Sequence, residues 1–291
     1  MSTLNTCTSS TRPGSPDAGD MLYETDTGDS IIWDGTAWRL YASATSSYAI
    51  DGSRTISVRP DFHFDADKFN GVDATGNPAD ATTIDTSVVW TSRTGDMTAF
   101  QDTSADQPSY KTTGTNSKPY VLSTAYMYLE LSEIITAPGA FTIFAISEAT
   151  AAGKSALVGS GCKAGSAPQN NVQFVWASTD YSYFGTTGAD SGALPIAISG
   201  GDMRAFLFIR DSSNNSRLYM DGDNTTTAVV GTNSVPQFIS CIMAGVSPYG
   251  LIGNMYEVAM WKSDLSTADR NKLGAYGQAK YDSSNLAWAD F

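Results

Sequence analysis

At 291 residues the chain is longer than a typical domain of roughly 100–150 residues, although all-β units of about 200–250 are routine. Its 41% hydrophobic and 16% charged residues allow a sizeable core and exclude wholesale disorder. Thirty acidic against 17 basic residues leave a formal net charge of −13, which repels phosphate backbones and anionic lipid headgroups and argues against nucleic acid or membrane as partner.

No stretch approaches the roughly 18 apolar residues of a membrane span. The opening Met1-Ser2-Thr3-Leu4-Asn5 lacks the basic and apolar blocks of a signal peptide. The expectation is a protein made in a cytoplasm, leaving it only within an assembly. Cys7, Cys162 and Cys241 show no metal-ligand spacing. They read as one disulfide plus a thiol, or as three reduced small hydrophobes, and the lack of a secretory signal favours the second.

Residues 1–60 form a leader of short apolar bursts between turn residues. "DMLY" (Asp20–Tyr23), "SIIW" (Ser30–Trp33) and "AWRLY" (Ala37–Tyr41) are predicted strands. Asp34-Gly35 supplies the positive φ of a tight turn, so Ile31–Tyr41 reads as a hairpin. Three strands of about a dozen residues cannot cover Tyr23, Trp33, Trp38 and Tyr41 by themselves, since isolated hairpin units are marginal in water. These four rings are therefore the candidate assembly and docking residues.

From Asp61 the predicted strands lengthen. "FHF" (62–64), "VVW" (88–90), "YMYLEL" (126–131) and "FTIFAI" (141–146) come first. "VQFVW" (172–176), "RAFLFIR" (204–210), "RLYM" (217–220), "FISCIM" (238–243) and "LIGNMYEVAMW" (251–261) follow. They alternate or run fully apolar between Gly, Pro, Asn and Asp, the pattern of an antiparallel sandwich. "DGDN" (221–224) reads as a hairpin turn. One helix is predicted over Leu265–Tyr281, with Ser266 as N-cap and Asp269 three residues on. Leu273, Tyr276 and Tyr281 give it an apolar side, while Gly274 and Gly277 limit its intrinsic stability. The fold class is thus all-β: a jelly-roll sandwich over 61–291 with one C-terminal helix, preceded by a turn-rich β leader.

The order of these pieces resembles the laminin-G-like, concanavalin-A-like jelly roll of microbial and phage proteins. "FHFDADKF" (62–69), the Trp-turn-aromatic run from Val88 to Tyr110, and above all the stretch from Tyr249 to Tyr281 carry the resemblance. The leader's "GDMLYETDTG" followed by "IIWDGTAW" is similar to short β modules of bacteriophage tail fibres, head fibres and other virion proteins. Together they imply a non-enzymatic virion structural protein, a head fibre or decoration knob. The leader would dock on a capsid or tail platform and associate copies as a trimer, assembled in the host cytoplasm. Fold alone implies none of this.

Glucanase relatives of this fold align carboxylates on one strand to flank a glycosidic bond. Only "ETDTGD" (Glu24, Asp26, Asp29) looks similar, and Gly28 breaks its strand, so a turn is expected. Glu130, Glu133 and Glu257 lack the motif's spacing. His63, the single histidine, projects opposite Phe62 and Phe64 with Asp61 and Asp65 on its side, and is expected at a surface or interface. "AGKS" (152–155) departs from a phosphate loop, because Glu148 stands where the first glycine belongs.

The resemblance raises calcium, for which Asp65, Asp67, Asp73, Asp221 and Asp223 are weak candidates, although solvated turns are the simpler reading. Trp176, Tyr181 and Tyr183 sit on one expected hairpin and could form an aromatic platform for a host surface glycan. That gives the alternative function, a receptor-binding tail fibre or lectin. No other cofactor is expected.

Overall fold

Short apolar bursts between turn formers commit the chain to strands. The computed structural model describes residues 5–8, 10–24, 29–33, 35–43, 47–125, 127–137, 139–149, 155–159, 173–177, 181–186, 189–195, 203–213, 215–221, 223–232, 237–243 and 251–281. It divides into two compact units, Met1–Arg59 and Pro60–Phe291.

The first unit contains β1 (Asn5–Cys7), β2 (Met21–Glu24), β3 (Asp29–Trp33) and β4 (Trp38–Ser43) in one sheet of that order. The β1–β2 pairing is parallel and the others antiparallel. Gly35 takes the positive φ of 97° in the β3–β4 turn, which Trp33 and Trp38 flank as a directly opposed pair. Leu22 and Ile31 face each other across β2–β3 and are both buried. A small hairpin, β5 (Tyr48–Ala49) and β6 (Thr55–Ile56), is closed by Asp51, whose carboxylate accepts from the amides of Ser53 and Arg54.

The second unit begins with β7 (Phe62–Asp65), β8 (Trp90–Thr91), β9 (Thr98–Phe100), β10 (Ser109–Lys111) and β11 (Tyr120–Ser123). Next come β12 (Leu129–Ala137), β13 (Phe141–Ala149), β14 (Ser155–Ala156), β15 (Val158–Gly159), β16 (Gln173–Ala177), β17 (Tyr181–Thr186) and β18 (Ala189–Pro195). The last are β19 (Met203–Arg210), β20 (Asn215–Met220), β21 (Asp223–Thr232), β22 (Gln237–Ile242) and β23 (Gly253–Trp261), before the helix α1 (Thr267–Tyr281).

The large sheet runs β10-β11-β23-β13-β19-β20-β21, with β7 also on β23. A five-stranded sheet runs β15-β22-β12-β9-β8. One hydrophobic cluster joins the two: Phe64, Ile143, Phe208 and Met260 from the first with Trp90, Leu129, Ile135 and Ile239 from the second. The fold is therefore the expected all-β sandwich with one α-helix among the described residues. A further sheet, β14-β16-β17-β18, completes the described strands.

The apolar runs of β13 and β19 follow from burial on both faces. Phe141, Ile143, Phe206 and Phe208 belong to the sandwich core. Their alternates Phe144, Ile146, Leu207 and Ile209 are buried as well, and Phe144 lies 6.5 Å ring to ring from Tyr276 of α1. The helix caps as its sequence suggests: Ser266 Oγ accepts from the Asp269 amide at 3.2 Å and donates to Asp269 Oδ2 at 3.0 Å. Gly274 and Gly277 lie on its buried side.

Three features depart from the sequence pattern. "YMYLEL" was expected to start the strand at Tyr126, but β12 starts at Leu129 and runs on to Ala137. Strands β9, β10, β11, β18 and β21 are short or rich in Thr, Ser and Gly, so periodicity does not reveal them. Cys241 is disulfide-bonded, correcting the expectation of three reduced thiols. Asp221 takes φ 54° while Met220 pairs with Asp223, as a tight connection between β20 and β21 requires.

Candidate functional site

A polar cluster lies where α1 meets the large sheet. Alternation along β7 sends Phe62 and Phe64 into the core and His63 and Asp65 to the opposite face. Antiparallel pairing sets His63 beside Ala259 and Asp65 beside Glu257 on β23. A β-bulge then concentrates polarity: Met255 opposes Ser147 while Glu257 opposes Ile146, so β23 carries one extra residue there. Met255 and Val258 accordingly both enter the core, and Tyr256 and Glu257 both reach Tyr281 of α1.

Glu257 is the hub, with no exposed surface. Oε1 lies 2.5 Å from His63 Nε2. Oε2 accepts from Lys280 Nζ at 2.9 Å, Tyr276 Oη at 2.9 Å and Tyr281 Oη at 2.8 Å. Lys280 Nζ also donates to Asp65 Oδ1 at 2.6 Å and to Tyr276 Oη at 3.0 Å. Arg93, between β8 and β9, places Nη1 3.7 Å from Asp65 Oδ2 and 3.4 Å from His63 Nδ1. A carboxylate only accepts and a guanidinium only donates. The proton of His63 therefore sits on Nε2, and Nδ1 accepts from Arg93.

Ionisation follows the same geometry. Burial alone would raise the Glu257 pKa, but the Lys280 ammonium and His63 hold it well below the carboxylate range. Burial pushes His63 down against the pull of Glu257, leaving a neutral ring. Burial would also lower Lys280, yet Asp65 and Glu257 raise it. Burial and the nearby Glu257 charge push the Tyr276 and Tyr281 phenols well above their ordinary value.

His63, Asp65 and Glu257 offer one ligand atom each, all within 4.8 Å of one another, a donor set that divalent metals take. Lys280 decides against a metal. Its ammonium already lies between both carboxylates as a tethered cation, so the residues do not fit a metal ion here.

His63 was expected at a surface or interface; it is instead wholly buried, because α1 covers the face opposite Phe62 and Phe64. The available signal was Glu257, a lone carboxylate within the otherwise apolar "NMYEVAMW", opposite a helix whose Tyr276 and Lys280 lie one turn apart. Spacing against a glucanase motif says nothing of such a carboxylate as a buried partner.

The remaining candidates fall elsewhere. Among the docking residues, Trp33 and Trp38 are half-buried and meet edge to face at 5.5 Å, while the side chains of Tyr23 and Tyr41 lie outside the described residues. Of the calcium candidates, Asp65 binds Lys280 and Asp221 pairs with Arg204 at 2.6 Å. Asp73 is exposed and caps Thr75 at 2.9 Å. Asp67 donates its amide to Asp65 Oδ1, and the side chain of Asp223 lies outside the described residues. The carboxylates of Asp65 and Asp221 thus serve ion pairs and that of Asp73 a turn.

Glu24 is buried against Arg12 at 2.5 Å; Asp26 and residues 152–154 lie outside the described residues. Of the glycan candidates only backbone positions are described. Trp176 pairs with Ser182, whereas Tyr181 and Tyr183 pair with Ala177 and Val175. Alternation therefore puts Trp176 on one face of the hairpin and both tyrosine positions on the other.

No protein-family model and no curated protein matches the chain. Among solved structures, it is similar to domain 4 of AbnA, a GH43 extracellular arabinanase of Geobacillus stearothermophilus in complex with arabinotriose. That match has 13% identity and a TM-score of 0.46, covering 72% of this chain and 94% of that one. Trypanosoma rangeli sialidase in complex with sialic acid matches with 12% identity and a TM-score of 0.46, over 74% of this chain and 36% of that one. The CBM40 of Ruminococcus gnavus IT-sialidase, bound to α2,3-sialyllactose, matches with 13% identity and a TM-score of 0.35, over 46% and 80%. The chain spans about a third of the length of the T. rangeli sialidases. At these scores the likenesses carry no functional weight.

The hub makes a prediction. Breaking a buried ion pair on one side costs about 3–5 kcal/mol, so Glu257→Gln and Lys280→Met should each destabilise by that order in urea unfolding. The double variant should lose clearly less than the sum. Costs below about 1 kcal/mol that simply add would contradict the hub.

Proposed function

We propose that the chain is a non-enzymatic structural protein of a virion: residues 1–59 dock and associate copies, and residues 60–291 display the sandwich. The observation that carries this reading is the aromatic pair of the leader. Trp33 and Trp38 flank a tight turn in a four-stranded sheet and remain half-buried, so each retains apolar surface that another subunit can cover. The virion itself rests on the leader's resemblance to phage fibre modules. Absence of catalysis is supported by the polar cluster under α1. Its central carboxylate, Glu257, is sealed from solvent, saturated by donors and held ionised, whereas a general acid must be reachable and protonated.

The test is the mass of the full chain in solution. Mass photometry should give a trimer, shifted toward monomer by Trp33→Ser/Trp38→Ser; a stable monomer of the unaltered chain contradicts the proposal.

A second reading, recognition of a host surface glycan, is favoured by the β16–β17 register. Tyr181 and Tyr183 occupy one face two residues apart, a spacing that suits adjacent sugar rings. On a glycan array, Tyr181→Ala or Tyr183→Ala should then reduce binding at least tenfold while Trp176→Ala leaves it unchanged. Silence of the unaltered protein across the array removes this reading.

A further inference from the structure

The joint under α1 tolerates one protonation state of His63. Every titratable or charged group facing the ring is in place: Asp65 on its own strand, Glu257 on β23, Arg93 between β8 and β9, and Tyr276, Lys280 and Tyr281 on α1. Two carboxylates balance two cations only while the ring is neutral. A second proton on Nδ1 would point a donor at Arg93 Nη1, itself only a donor, 3.4 Å away. The ring is wholly buried, so while α1 is seated no water can take the place of Arg93 as its partner. Three of the four donors to Glu257 come from the last turns of α1, and lifting those turns uncovers the imidazole.

We propose that α1 is an acid-released latch on the sandwich and that His63 is its sensor. Acid protonates the ring only when the helix lifts, and the charged ring then opposes its return.

The sign follows from linkage. Burial holds the seated ring below its ordinary pKa, so the lifted state binds the extra proton. The seated state has its full advantage above pH about 6.5, and the lifted population rises about tenfold per pH unit below it. Glu257, also held low when seated, adds a second proton only near its ordinary value of about 4.5.

Native-state hydrogen exchange on the full chain between pH 7.5 and 5, corrected for intrinsic rates, tests this. Opening of Leu273–Tyr281 should grow about tenfold per unit below pH 6.5, while amides of β13 and β19 keep their protection. His63→Gln can donate to Glu257 and accept from Arg93 without titrating, and should abolish the slope. Lys280→Met, which keeps the sensor, should raise opening at every pH and preserve the slope, so it serves if the glutamine variant fails to fold. A flat profile in the unaltered chain, an equal slope in His63→Gln, loss of the slope in Lys280→Met, or simultaneous loss of core protection overturns the latch.

Discussion

One carboxylate, Glu257, holds the second unit's helix to its sheet. Without water, its two oxygens must find all their donors within the protein, and they find four: an imidazole, an ammonium and two phenols. Each donor restricts an element. His63 ties in β7, and Tyr276, Lys280 and Tyr281 orient the end of α1. Removing any one leaves a buried charge short of a partner, which costs more than the partner's own contact is worth. The bulge at Tyr256 belongs to the same requirement, since it turns Glu257 toward the helix without taking Met255 or Val258 out of the core.

The cluster has the composition of a catalytic or metal centre and the behaviour of neither. Histidine, paired carboxylates, lysine and tyrosine within hydrogen-bond reach would ordinarily suggest acid–base chemistry. Perturbed ionisation marks active sites because burial and charge are arranged there to keep one group poised. Here they are arranged so that each group is fixed: Glu257 ionised, Lys280 charged, His63 neutral, both phenols protonated. Closure, saturation and balanced charge distinguish a structural network from a reactive one.

Much of the fold was legible because its strongest elements are locally consistent. "FTIFAI" and "RAFLFIR" are too short for helices and too apolar for edge strands, and they became β13 and β19, neighbours buried on both faces. Ser266 and Asp269 announced the helix start, and Asp34-Gly35 the leader hairpin. The site was not legible, since its residues come from positions 63, 65, 93, 257, 276, 280 and 281, and only the tertiary fold assembles them. His63 was placed on the correct face of its strand, yet alternation does not reveal that a helix from the far end of the chain covers that face. Register likewise divides the Trp176, Tyr181 and Tyr183 positions, which share a hairpin in sequence but not one side of it.

The chain holds a single histidine, so its ring nitrogens can be observed without assignment by mutagenesis. A long-range ¹H–¹⁵N spectrum of the uniformly labelled protein at pH 6 reads the state of the joint directly. A protonated Nε2 with a bare Nδ1, unchanged down to a pH clearly below the ordinary histidine value, is the result expected for a sealed neutral ring donating to Glu257. A doubly protonated imidazolium at pH 6, or rapid exchange between tautomers, would contradict both the hub and the burial on which it depends.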